Sequence, residues 1–210
     1  MKNKFVHLHV HTEYSLLDGL SRIKKLFTHI KENGMDAVAM TDHGAMYGAI
    51  EFYKKAKEME IKPIIGIEAY TTDIDHREKP ERGNFQNFHQ LLLAKDEEGY
   101  KNLMKITSIA HIEGYYYRPR IDRETLAKYS KGLICTSACA AGEVAQALIQ
   151  DDYKKAVKIV KWFVDVFGKD YYLELQRHKY GEYAKSIEDT TIKNDVLEMA
   201  SNELTVMKGL

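Results

Sequence analysis

Apolar and polar residues alternate over residues 5–10, with Val6, Leu8 and Val10 on one face and Phe5, His7 and His9 on the other, the two-residue period of a strand. The period then changes. Over 21–33, Ile23, Leu26, Phe27 and Ile30 recur at helical spacing, Ser21 stands at the N-cap, and Gly34 stands where the chain leaves the helix. The pattern predicts a short buried strand over 36–41, a helix over 47–59 and a third strand over 62–71. After a polar stretch at 72–86, strand character returns at 88–94, followed by a helix over 96–113 with Tyr100, Leu103, Met104 and Thr107 on one face. A strand at 132–136, two helices over 142–167 broken near Asp151 and Asp152, a strand at 171–176 and a helix over 192–204 complete the series. Such alternation predicts an α/β fold with a mainly parallel sheet, open or closed into a barrel, and reactive loops at the carboxyl ends of the strands.

Composition narrows the chemistry. Lys+Arg and Asp+Glu balance at 31 each in 210 residues, which excludes holding nucleic acid by bulk charge alone, so any phosphate must be met locally. Cys135 and Cys139 are too few for a disulfide scaffold and are not spaced as C-x-x-C. No run approaches the roughly 20 apolar residues that span a bilayer. The expectation is a cytoplasmic protein with no membrane partner.

Candidate chemistry concentrates at strand ends. In His7-Leu8-His9-Val10-His11, alternate imidazoles share one strand face and can converge on one ion. Asp18 follows in the next loop, His43 ends Thr41-Asp42-His43, and Glu68 interrupts the apolar Gly66-Ile67-Glu68-Ala69. A carboxylate inside such a strand is costly unless paired or bound to metal. His89 and Cys139 follow the same rule on later strands. Nitrogen, oxygen and sulfur donors scattered over so much chain predict a multinuclear transition-metal site that activates water, and hence phosphoester hydrolysis.

These residues resemble the PHP (polymerase and histidinol phosphatase) domain family, above all the version that opens the alpha subunit of bacterial DNA polymerase III. The run Phe5-Val6-His7-Leu8-His9-Val10-His11-Thr12-Glu13-Tyr14-Ser15-Leu16-Leu17-Asp18-Gly19 is similar to that motif almost letter for letter. Thr41-Asp42-His43-Gly44, Gly66-Ile67-Glu68, Tyr117-Arg118-Pro119-Arg120-Ile121-Asp122 and Cys139-Ala140-Ala141-Gly142-Glu143 add further matches, and the likeness runs over 4–204. It implies one PHP domain over 1–210, a distorted (β/α)7 barrel, and a cleft for up to three zinc or manganese ions. His9, His11 and Glu68 would hold one ion, Glu68, His89 and Cys139 a second, and Asp18 with His43 a third. His7 falls on the site wall, and no catalytic group is implied beyond the metal ligands.

The family completes its ligand set with an Asp-x-His beyond the last helix, whereas this chain stops at Leu210. The expectation is therefore a barrel truncated before its last strand, with fewer ions. Members with every ligand are similar to 3′–5′ exonucleases that proofread, and the polymerising carboxylates lie later in the family's chain, so this stretch alone would not polymerise. The implied partners are the DNA primer 3′ end and the other replicative polymerase subunits. A metal-poor docking module and a free-standing phosphatase are the alternatives. Arg118, Arg120 and His178 are candidate substrate-binding residues, while Lys154, Lys158 and Lys161 read as a solvated helix face and His29 and His111 as bystanders.

Overall fold

The computed structural model describes residues 5–16, 18–81, 85–178, 182, 184–186 and 190–209. It divides into two compact units, Met1–Cys135 and Thr136–Leu210. In the first, α1 (Ile23–Glu32) leads to β1 (Ala37–Met40), α2 (Ala49–Glu58), β2 (Lys62–Thr72), β3 (Asn87–Ala94) and α3 (Glu97–Ile112). Then come β4 (Tyr115–Tyr116), β5 (Arg118–Ile121), α4 (Arg123–Lys128) and β6 (Leu133–Thr136).

The sheet is mixed rather than mainly parallel. Its order is β4-β5-β2-β3-β6, with β1 on β2. β1 and β5 each run parallel to β2, but β2 and β3 pair antiparallel from Gly66↔Leu93 to Thr72↔Asn87. The cause is the connection: a parallel return needs a long crossover, usually a helix, and the described part of 73–86 contains none.

Residues 5–10 fall short of a regular strand. His7 makes an isolated parallel bridge to Val38, and the segment is held beside β1 by Ala39 N–H to His7 O at 2.8 Å and Thr41 N–H to Val10 O at 2.8 Å. The described residues of 73–86 hold no strand, but 115–128, unassigned by periodicity, folds into a two-strand hairpin and a short helix, capped where Asp122 accepts the Thr125 N–H at 2.8 Å.

Packing explains the helices. Ile23, Phe27 and Ile30 of α1 and Phe52 and Ala56 of α2 close over Val38 and Met40, with the Phe27 and Phe52 rings 4.8 Å apart. Each fully buried large side chain contributes about 1.5–3 kcal/mol. The N-cap of α1 is Arg22, not Ser21, and makes no side-chain cap; the distant Glu13 carboxylate takes the Ile23 N–H at 3.1 Å instead. At the other end Gly34 (φ 70°) donates to Lys31 O and Met35 to Ile30 O, both at 3.0 Å. On α3 the buried line is Gly99, Leu103, Ile106 and Ala110, while Met104 is exposed.

The second unit holds α5 (Glu143–Ile149), α6 (Tyr153–Phe167), β7 (Tyr171–Tyr172) and α7 (Thr190–Gly209). Asp151 (φ 59°) breaks α5 from α6, and the Asp152 carboxylate caps α6 at the Lys155 N–H, 2.9 Å away. Phe163 stacks on Tyr171 with ring centroids 5.0 Å apart. Lys154, Lys158 and Lys161 are all exposed. No described helix in either unit is long and apolar enough to cross a membrane.

Candidate metal centre

β2 carries the centre of the site. Residues 66–72 are buried throughout, and Glu68 is 1% exposed. Four imidazole nitrogens surround its two oxygens. His9 Nε2 and His89 Nδ1 lie 3.2 and 3.0 Å from Oε1, and His11 Nε2 and His43 Nδ1 lie 3.1 and 3.0 Å from Oε2. Backbone pairing fixes this convergence. Glu68 N–H donates to Asp42 O at 3.1 Å and Gly44 N–H to Glu68 O at 2.9 Å, which sets the loop after β1 against β2. In the β2–β3 register His89 stands opposite Tyr70, two residues from Glu68 and on the same strand face.

The loop after residue 11 adds the second carboxylate. Asp18 Oδ2 lies 3.0 Å from His43 Nε2 and 3.6 Å from His11 Nδ1. Ser15, 2% exposed, ties the loop together: its hydroxyl donates to Asp18 Oδ1 at 2.9 Å, accepts the His43 N–H at 3.2 Å and sits 3.2 Å from His11 Nδ1. Below it, the buried Asp42 carboxylate accepts the Thr12 N–H at 2.6 Å and its hydroxyl at 2.8 Å. Burial pushes the Asp42 carboxyl up, and the Thr12 bonds only partly oppose this.

Electrostatics follow from the crowding. Burial alone would push the Glu68 carboxyl up, but the facing imidazoles of His11, His43, His89 and His9 outweigh it and hold it well below the usual carboxylate range. Burial pulls His43 down, and Glu68 and Asp18 together lift it above the ordinary imidazole value.

The donor set fits divalent ions. Three groups, His9–His11–Glu68, His11–Asp18–His43 and His43–Glu68–His89, each bring their ligand atoms within 4.8 Å of one another. Two donors about 2.1 Å from a shared tetrahedral ion stand about 3.4 Å apart, close to the contacts here. His43 Nδ1 is the sharpest sign: it is buried, 3.0 Å from Glu68 Oε2, yet off the line a hydrogen bond needs. A nitrogen lone pair in that position suits a cation.

Asp18, His43, Tyr70, Asn87, His89 and Arg118 line an open cleft of about 300 Å³ over this cluster. Tyr70 stacks on His43 with centroids 5.6 Å apart, and the exposed Arg118 guanidinium lies 5.5 Å from the Tyr70 ring centre. Tyr70, Asn87 and Ser15 were missed in the sequence, although Tyr70 follows Glu68 at the strand period.

Arg120 is not a substrate contact: it is wholly buried, donating through Nε to Gly114 O and through Nη2 to His76 O and Glu78 O, between the rings of Phe85 and Tyr116. Alternation along β5 does not separate the two, since residues 118 and 120 share one side; the strand passes from exposed at Arg118 to buried at Arg120. The His7 ring meets Phe5 edge-on at 4.8 Å and joins none of the ion groups found among the described residues. Cys139 and His178 belong to the second unit, where they line a cavity of about 280 Å³ with Glu174. His29 is exposed beside Asn33. His111, by contrast, reaches from the end of α3 to Gly44 O at 2.9 Å.

A mixed sheet with imidazoles and carboxylates gathered at strand ends defines an α/β protein with a candidate multinuclear metal centre. The family model described as the PHP domain matches residues 7–178, and the chain belongs to that family. Among curated proteins it is 48% identical to the DNA polymerase III subunit alpha of Borreliella burgdorferi, over 98% of this chain and 17% of that protein. It is 45% identical to the subunit of Campylobacter jejuni and 47% to that of Aquifex aeolicus, covering 91% and 87% of this chain and 16% of each relative. The chain thus spans about a sixth of the length of these relatives. Among solved structures, an amidohydrolase from Chromobacterium violaceum overlaps 50% of this chain and 34% of its own, at 20% identity and a TM-score of 0.34.

Proposed function

We propose that this chain is the PHP portion of a DNA polymerase III alpha subunit, and that its cluster holds divalent metal, manganese or zinc, for hydrolysis of phosphoesters at a DNA 3′ end. The observation that carries this reading is the Glu68 carboxylate with four imidazole nitrogens within 3.2 Å, under an open cleft. His9, His11, His43, His89, Asp18 and Glu68 are the ligands, and the proposal is confined to these residues of the first unit. Bound ions supply a water acidic enough to ionise near neutral pH and a positive charge for phosphoryl oxygens. The chain's own groups do the rest. Glu68 stays ionised and, with Asp18, offsets part of the cluster's positive charge. Ser15 holds His11, Asp18 and the backbone of His43 in register, and Tyr70 fixes the plane of His43. Arg118, exposed over Tyr70, meets a phosphate entering the cleft. In the whole polymerase the partners are the primer 3′ end and the other subunits.

Calorimetric titration with manganese and zinc, paired with hydrolysis of a 3′-labelled single-stranded oligonucleotide, tests this. At least one equivalent of metal binds, His43→Ala weakens binding by about tenfold or more, and mononucleotides are released from the 3′ end. The ligand assignment fails if His43→Ala and His9→Ala bind metal as tightly as the parent. Release of phosphate from a small monoester with no attack on the oligonucleotide would move the reading to a small-molecule phosphatase.

A further inference from the structure

Away from the Glu68 cluster, Asp75, His76 and Asp122 bring metal-ligating side chains together in a group that shares no residue with the other three. His76 stands in the loop after β2 and is only 5% exposed. Its Nδ1 lies 2.6 Å from Asp122 Oδ2, and the same oxygen accepts its backbone N–H at 3.2 Å. Burial pushes the Asp122 carboxyl up, but bonds from Thr125 and His76 outweigh this and hold it below its ordinary value. An ionised Asp122 can only accept, so Nδ1 carries the proton and a neutral His76 keeps its lone pair on Nε2. That nitrogen is buried and makes no hydrogen bond. It faces Glu113 Oε2, 3.9 Å away at the C-cap of α3.

From this geometry we propose that His76 Nε2 and the Glu113 carboxylate hold one zinc ion at a site separate from the Glu68 cluster, tying the loop after β2 to the end of α3. The proposal does not rest on the reading of that cluster. Imidazole nitrogen with carboxylate oxygen suits zinc, and water completes the coordination. An imidazole whose other nitrogen donates to a carboxylate is the arrangement that orients a metal-bound histidine, and Asp122 supplies it. Two donors on one tetrahedral ion stand about 3.4 Å apart, and the half-exposed Glu113 side chain can swing in by the difference. The carbonyl end of α3 adds negative potential there. Asp75 takes no part, because Arg77 occupies both its oxygens at 2.9 and 2.6 Å. The carbonyls of His76 and Glu78 accept from Arg120, so an ion on this loop also braces the strand that carries Arg118.

Calorimetric zinc titration of the full chain, with bound metal counted after gel filtration, tests the site. One binding step of the parent is lost or weakened by about tenfold or more in Glu113→Gln and in His76→Gln, and the same step survives in His43→Ala. Glu113→Gln alters a half-exposed side chain and decides the matter should His76→Gln fail to fold. Zinc uptake by Glu113→Gln equal to that of the parent overturns the proposal and leaves the Glu68 cluster standing. Loss of the step in His43→Ala also overturns it, by assigning that ion to the cluster. A third outcome does the same: unchanged zinc uptake with a pH-dependent thermal midpoint in chelator that Glu113→Gln abolishes would assign Nε2 to a proton.

Discussion

Glu68 and His43 are bound by one balance of charge that pH can expose. In metal-free protein, His43 has a folded value above its ordinary 6.5, so its contribution to stability is full at lower pH and is lost as pH rises through that raised value. The thermal midpoint of the chelated chain should therefore fall as pH is raised above 6.5, whereas manganese affinity should rise over the same range, since ligating imidazoles must be unprotonated. A midpoint that climbs with pH in chelator would contradict the raised value. Arg118 and Arg120 make a second residue-scale contrast. Arg120→Lys leaves an ammonium unable to reach the three carbonyls that the guanidinium satisfies and should cost on the order of 2 kcal/mol in urea unfolding, while Arg118→Ala should leave stability unchanged within about 0.5 kcal/mol. The sequence exposed His9, His11, His43, Glu68 and His89 because each breaks an apolar pattern. It hid the difference between the two arginines, which share a motif and differ only in what folds around them.

At the scale of elements, helix ends tell the clearest story. α1 leaves through Gly34, but α2 makes the same exit with Glu60 at φ 58°, its N–H bonded to Lys57 O and that of Ile61 to Ala56 O. A side chain in that region is strained, so Glu60→Gly should raise stability by roughly 1 kcal/mol, read as a higher urea midpoint with unchanged slope. Gly34 was legible from sequence for the same reason that Glu60 was not, since only glycine advertises the conformation. Helices with strong apolar periodicity were placed to within a few residues. Residues 5–10 failed as a strand because alternation reports a face and not a partner, and here the neighbour is bonded at only a few points. The 115–128 segment escaped because a two-residue strand and a short helix have no room to show a period.

For the whole molecule, balanced charge makes a quantitative demand. If the exposed Arg118 guanidinium at the cleft meets the phosphates of an oligonucleotide, log affinity should fall with log salt at a slope of about −0.7 to −1.4, the signature of one or two phosphates. A slope several times steeper would mean a broad basic surface that the composition does not contain. The α/β class and strand-end site were readable from the full run of sequence because alternation and donors recur together. The direction of β3 was not, because it depends on the connection at 73–86.

One carboxylate touches every histidine of the cluster, and this has a consequence for how the centre fills. On the proposed reading, cations that share Glu68 would compete for the same pair of oxygens, so the first arrival would draw electron density from its neighbour's seat and lower the appetite for the next. Occupancy would then climb in unequal steps, and the centre would respond to the surrounding metal supply by degrees instead of at a single threshold.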